Sequence, residues 1–375
     1  MKSILIVIEN LNIGGVQKSF VNLLNGIDNE YEIDVIAFDY SGDYLKNIPG
    51  FVNCIKAPKH YRVFANPIHN LLKSPVLFFY KLLFFLCVKL FNKGISFRFV
   101  SPFYSVKKTY DVAISYSHSG YYKSVNGICP EFVLYKTSAN KKICFIHCDY
   151  EHSGLKCKYN DRLYNRFNEI VCCSESVKKV LLHSVPELKD KLFTVRNFYD
   201  CNISKINIKS INVECNTINV FIVARISKEK GVLRAVKALN VSKRNDIVFY
   251  IIGDGPQLLD VKQAIINYRL EKQVHLLGAI SSPYSILLNA DYLLVPSYNE
   301  AAPIVFDEAK LLGIPVISTE TLSSREMLDV DDIICENSDS GISNVLTELK
   351  KPNKKYQYDC DNSIQNMQFK EAIYF

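Results

Sequence analysis

SYNEAAPIVFDEAKLLGIPVIST, residues Ser297–Thr319, sets two glutamates, Glu300 and Glu308, across a loop-to-helix junction. Just before it, DYLLVP (Asp291–Pro296) is an apolar run of the length of a buried parallel strand, and Ile314–Thr319 is a second such run. Pro303 suits the first helical position and Gly313 the residue just past the helix end. The stretch therefore reads as strand, loop, helix, strand, with Glu300 in the loop and Glu308 on the helix. Eight helical steps of about 100° leave the two carboxylates roughly 80° apart in azimuth and at most ~12 Å apart along the axis. That spacing is too wide to pinch one atom. It suits two contacts on an elongated, hydroxyl-bearing ligand at the carboxyl end of a parallel sheet.

The same rhythm runs outward from this stretch. Ile4–Ile8, Glu32–Phe38, Asp111–Ser115, Ile143–His147 and Ile170–Cys173 read as strands, with helices at Gly15–Leu24 and Glu175–Leu182, the latter capped by Ser174. Asn219–Ala224, Ile247–Ile252, Val274–Leu277, Tyr292–Val295 and Val316–Ser318 follow, separated by helical stretches. Strands alternating with helices imply an α/β fold of two doubly wound, Rossmann-like domains with parallel sheets covered on both faces. A chain of 375 residues also favours two cores over one. The polar stretch Cys201–Thr217 has no helical period and divides them, so the expected parts are residues 1–200, a linker at 201–217, residues 218–355, and a closing amphipathic helix at 356–375.

Composition narrows the classes. The formal charge of +7 is spread rather than concentrated, and no DNA- or RNA-reading motif accompanies it, so nucleic acid is not an expected partner. MKSILIVIENLNIGG reads as a first strand and not as a signal peptide, which points to the cytoplasm and to free thiols for the 12 cysteines. Cys144, His147, Cys148, His152 and Cys157 crowd together, but no C-x2-C pair exists, and no metal is expected. Leu71–Phe91 (LLKSPVLFFYKLLFFLCVKLF) is interrupted by Lys73, Lys81 and Lys89, too often for a membrane span of ~20 residues. Two readings remain for it: a buried helix, or an amphipathic helix lying on an anionic bilayer with the basic-aromatic stretch Asn92–Tyr110 beside it.

Three strand ends carry chemistry. NIGGVQKS opens a helix with a glycine turn at Gly14–Gly15, which is either an anion site at the helix N-terminus or only a tight connection. G-x-G-x-x-G is absent, which weakens an NAD-linked oxidoreductase as one class of function; a non-catalytic ligand-binding protein is another. In the second half, Arg225 and Lys230 leave one strand end within reach of one point, which is either a cation pair for a diphosphate lacking a metal counterion or a solvated helix start with Glu229 pairing locally. Gly253-Asp254-Gly255-Pro256 makes a further glycine turn after the next strand.

Taken together, these motifs resemble the retaining glycosyltransferases of family 4, which have the GT-B architecture of two domains facing across a cleft. The resemblance is carried by E-x7-E at Glu300 and Glu308, ARISKEKG at Ala224–Gly231 and IGDGP at Ile252–Pro256, in order over Asn219–Leu328 and more loosely before it. It implies that residues 1–200 take the acceptor and 218–355 the nucleotide sugar, with UDP or GDP as carrier and no cofactor. Arg225 and Lys230 would hold the diphosphate, with Gly253, Pro303 and Ile304 lining the same crevice. Glu308 would bind the ribose hydroxyls, Glu300 would lie beside the transferred sugar, and Gly15 would place backbone near donor phosphate or acceptor. FIHCD at Phe145–Asp149 is similar to the family's W-x-H-x-D, which puts His147 at the donor sugar with Asp149 supporting it. Phe145 for Trp, Ala301-Ala302 after the first glutamate, and Asn197-Phe198-Tyr199-Asp200 where N-G-x-D is frequent depart from the pattern. The implied reaction is metal-independent transfer with retained configuration to a glycan, lipid-linked acceptor, in capsule or cell-surface polysaccharide assembly at the inner membrane face.

Overall fold

The computed structural model describes residues 1–27, 30–66, 68–72, 74–101, 104–203, 216–352 and 360–374. The chain divides into two compact units, Met1–Phe198 with Asn362–Phe375, and Tyr199–Asp361. Most of the 201–217 linker and the first residues of 356–375 lie outside the described residues.

The first unit is built on seven strands: β1 (Lys2–Asn10), β2 (Tyr31–Asp39), β3 (Asn53–Cys54), β4 (Thr109–Ser115), β5 (Ser138–Ile146), β6 (Glu169–Cys172) and β7 (Leu192–Thr194). They lie in the order β3-β2-β1-β4-β5-β6-β7, all paired parallel. Ile4 to Ile8 are wholly buried, because helices cover both faces of such a sheet and the strand needs no polar side. Helix α1 (Gly15–Gly26) follows β1 and turns Phe20, Leu23 and Leu24 into the core. Ser174 does cap its helix, its hydroxyl accepting the Val177 amide at 3.2 Å. The last helix, Ser363–Tyr374, brings Phe369, Ala372 and Ile373 into the same core, and the Asn366 side chain donates to the Gly26 carbonyl at 2.9 Å.

The second unit holds six strands: β8 (Ile218–Val223), β9 (Ile247–Ile252), β10 (Val274–Gly278), β11 (Tyr292–Val295), β12 (Val316–Thr319) and β13 (Ile333–Cys335), in the order β10-β9-β8-β11-β12-β13. Both are doubly wound α/β sheets. Chain order reverses between β1 and β4 in the first and between β8 and β11 in the second. At such switch points the loops leaving the strand ends diverge and open a crevice.

One open reading is narrowed here and one expectation fails. Helix α2, Pro75–Leu90, buries Lys81 rather than presenting it to lipid: its ammonium donates to the carbonyls of Val63 at 2.8 Å and of Asn66, and to Asn126 Oδ1 at 3.2 Å. The cysteines are not all free thiols. Cys201 and Cys360 form a disulfide across 159 residues, while the other described cysteines lie outside any disulfide. No helix among the described residues is long and apolar enough to cross a membrane.

Candidate functional site

At the second switch point, β8 ends before Arg225 and β11 before the loop Pro296–Glu300. Lys230 and Glu300 meet there, the ammonium lying 2.8 and 2.9 Å from the two carboxylate oxygens. The Ser297 hydroxyl donates to Glu300 Oε1 at 2.6 Å, and Glu300 is buried. Lys230 is thus paired rather than a bare cation, while Arg225 is exposed beside it.

Why this loop keeps its shape is visible in Arg234, on helix α3 (Val232–Ser242). Its buried guanidinium donates to the carbonyls of Pro296 at 2.7 Å and Ser297 at 2.8 Å and lies 3.8 Å from the Tyr298 ring centre. A guanidinium can satisfy several carbonyls in one plane while stacking on an aromatic face. The Thr319 hydroxyl donates to the same Ser297 carbonyl at 2.6 Å. Two glycines let the loops close. A Cβ on Gly231, whose φ is 66°, would fall 1.9 Å from the Pro296 carbonyl oxygen, and one on Gly253 would fall 1.8 Å from that of Ala224.

Glu308 sits on helix α4, Ile304–Leu311, buried, and accepts the Tyr284 hydroxyl at 2.9 Å. Pro303 stands one position earlier than expected, as the extended residue before the helix, and Ile304 is the first helical residue. Gly313 follows the helix with φ of 67°. In the first unit, a Cβ on Gly15 would meet nothing of the chain within 4 Å, so packing does not demand glycine there.

His147 lies just past the end of β5 and not within it. Burial pushes its pKa down to about 3, with His118 adding to the effect and the Tyr116 backbone opposing it. Its Nε2 is buried without a hydrogen-bond partner. Asp149 does not support it. That carboxylate accepts the amides of Glu151 and His152 at 3.0 and 3.1 Å and meets the His152 ring at 2.9 Å, so it fixes its own turn. An Asp two residues into a turn binds the amides ahead of it more readily than a ring behind it. Tyr284 and Arg234 went unread in the sequence because neither belongs to a local pattern. His118 had a signal, since it follows a strand end in SHSG.

Residues 204–363 match the family model described as glycosyl transferases group 1. WcaL of Escherichia coli K12, by name a colanic acid biosynthesis glycosyltransferase, is 23% identical over 197 residues, which is 46% of this chain and 48% of WcaL. The GPI3 subunit of the Saccharomyces cerevisiae phosphatidylinositol N-acetylglucosaminyltransferase is 29% identical over 115 residues, 30% of this chain and 25% of that protein. The chain thus spans half or less of the length of these relatives. Anabaena HepE, solved in complex with UDP, superposes with a TM-score of 0.66 at 15% identity, covering 100% of this chain and 99% of HepE. Over residues 204–363 the chain is thus similar to the glycosyl transferases group 1, and its two parallel-sheet units have the GT-B fold.

Proposed function

We propose that the protein transfers a sugar from a nucleotide sugar to a glycan acceptor with retention of configuration. The observation that carries this reading is the Lys230–Glu300 pair at the β8/β11 switch point, with Arg225 exposed beside it. Two cations suit a departing diphosphate, whose charge they stabilise without a metal, and a carboxylate held among them suits the hydroxyls of the sugar. UDP in the HepE structure favours a uridine carrier here. Glu308 would take the ribose hydroxyls; within the first unit, the open space at Gly15 and the neutral lone pair of His147 each suit an oxygen-rich ligand. An NAD-linked reaction has no such support, as the phosphate-binding G-x-G-x-x-G is missing.

A thermal-shift screen of nucleotide sugars with and without EDTA is the first test, since a ligand at 100 times its dissociation constant adds about 2.7 kcal/mol of stability. Glu308→Gln should then weaken donor binding about 10- to 100-fold while lowering turnover at saturation much less. Its contact with ribose is made in ground and transition states alike. Collapse of saturating turnover at unchanged affinity would remove Glu308 from the ribose.

The acceptor is lipid-linked in this reading, and the protein works at the inner membrane face in cell-surface polysaccharide assembly. WcaL supports the pathway class, and helix α2 supports the membrane. Val76, Phe79, Leu83, Leu86 and Leu90 are exposed and recur at helical spacing, with Phe91 and Phe99 next to them. Such a stripe is costly in water and fits the acyl boundary of a bilayer, with Lys89 and Arg98 at anionic headgroups. Wild-type protein should sediment with vesicles containing phosphatidylglycerol, more weakly at high salt. Phe79→Asp with Leu86→Asp should abolish this, and Lys89→Glu should weaken it. Unchanged sedimentation of the double variant would return the acceptor to the soluble class.

A further inference from the structure

Three adjacent strands of the first sheet end on one edge with three polar side chains. Val7 pairs with Ser115 and Ser115 with Cys144, so Glu9 lies two residues past the first pair, and His118 and His147 each three past the second. These are the strands at the switch point of that sheet. Each imidazole carries one buried ring nitrogen without a hydrogen-bond partner, Nδ1 of His118 and Nε2 of His147. Buried polar side-chain atoms almost always have partners, and two orphans on neighbouring strand ends are therefore unusual. A neutral imidazole ring nitrogen of this kind can accept a hydroxyl or donate to one, according to its tautomer. Burial, with Lys93 adding to it, holds His118 down to about 4, so both rings are neutral at pH 7.

What surrounds them decides the ligand. Lys93 is wholly buried and donates to the carbonyls of Asn126 and Gly127 at 2.6 and 2.7 Å, and Lys81 is held by backbone carbonyls too. Glu9 accepts the Gly127 amide. Lys93 is thus engaged with the loop after β4 and Lys81 mainly with the segment at Val63–Asn66, and the groups left over are two neutral imidazoles and a carboxyl. An anion would find no uncommitted cation among them. A neutral polyol finds both donors and acceptors.

We propose that His118, with Glu9 beside it, forms a subsite for adjacent hydroxyls of the acceptor sugar. This deepens the transferase reading and rests on it. His118 takes one hydroxyl at Nδ1, Glu9 takes its neighbour, and the pair selects for hydroxyl spacing on the incoming glycan.

The test uses the full chain with a nucleotide sugar found by the screen and, as acceptor probes, octyl glucosides, galactosides and N-acetylglucosaminides below their micelle concentrations. Addition of a bound probe should shift the His118 imidazole nitrogens in protein labelled with nitrogen-15 histidine. His118→Ala should raise the acceptor KM at least tenfold while donor affinity and acceptor-independent donor hydrolysis stay within twofold. His118→Gln should recover part of the loss, and Glu9→Gln should raise the same KM. No His118 shift with any probe, or an unchanged acceptor KM, would overturn the subsite. Equal loss of hydrolysis and transfer in His118→Ala would also do so, by placing His118 with the donor or the fold. If wild type neither binds nor hydrolyses any nucleotide sugar, the transferase reading itself is lost, and the subsite with it.

Discussion

Lys230→Ala should cut transfer roughly 10²- to 10³-fold, the range found when one preorganised charge-stabilising donor is removed from a reacting centre. The structure gives the loss two sources. On the proposed function the ammonium that would face the departing diphosphate is gone, and Glu300, buried and held otherwise by the Ser297 hydroxyl, loses its ion-pair partner. Removing one member of a buried ion pair is worse than removing both, because the survivor remains desolvated. Lys230→Ala combined with Glu300→Gln should therefore be more stable than Lys230→Ala alone, and the two effects on transfer should not add. Rates and urea midpoints for the four proteins of this cycle decide the matter. Additive effects would separate the two residues. A restored rate on adding magnesium would replace the cationic clamp by a metal.

Acid should destabilise the first unit through its histidines. His147 and His118 are held down to about 3 and about 4 by burial. In the unfolded chain both titrate near ~6.5. A base whose folded pKa is depressed binds its proton in the unfolded state first. The stability is therefore complete above about pH 6.5 and is lost as pH falls from there toward 3, by up to ~1.4 kcal/mol per histidine and pH unit. Over two pH units the pair gives a loss on the order of several kcal/mol. Glu9 and Glu131, whose carboxyls burial pushes up, act in the opposite sense, since the folded protein takes up their protons first. The difference between wild type and His147→Gln isolates the histidine term. In urea unfolding from pH 8 to pH 4.5, wild type should lose stability relative to the variant below pH 6.5. A constant difference across that range would show that the ring is solvated and charged in the folded protein.

The architecture could be read from the chain because its strands are buried on both faces. Ile247–Ile252 and Tyr292–Val295 are apolar runs with nothing to alternate against, and the structure keeps their boundaries to the residue. Glu300 in a loop and Glu308 on a helix were equally readable, since proline and glycine punctuate that stretch. What escaped depends on partners distant in sequence. Lys81 showed in the sequence only as an interruption of an apolar segment, and its carbonyl partners at Val63 and Asn66 belong to another segment. The disulfide between Cys201 and Cys360 has no local trace. Asp149 was assigned to His147 by motif, while turn chemistry directs it to Glu151 and His152. Arg234 reads as an ordinary helix surface residue until the loop at Pro296 is laid over it.

The helix Ser363–Tyr374 carries a consequence for how the protein is made. Its Phe369, Ala372 and Ile373 complete the core that Ile4, Ile6 and Phe20 begin. On the ribosome the first two hundred residues emerge early but wait, short of three apolar side chains, until the whole second unit has been translated. Domains made in order usually fold in order. Here the one begun first is finished last, so the nascent first sheet stays exposed to chaperones longest, and a stop codon just before Ser363 would leave it lacking its last layer.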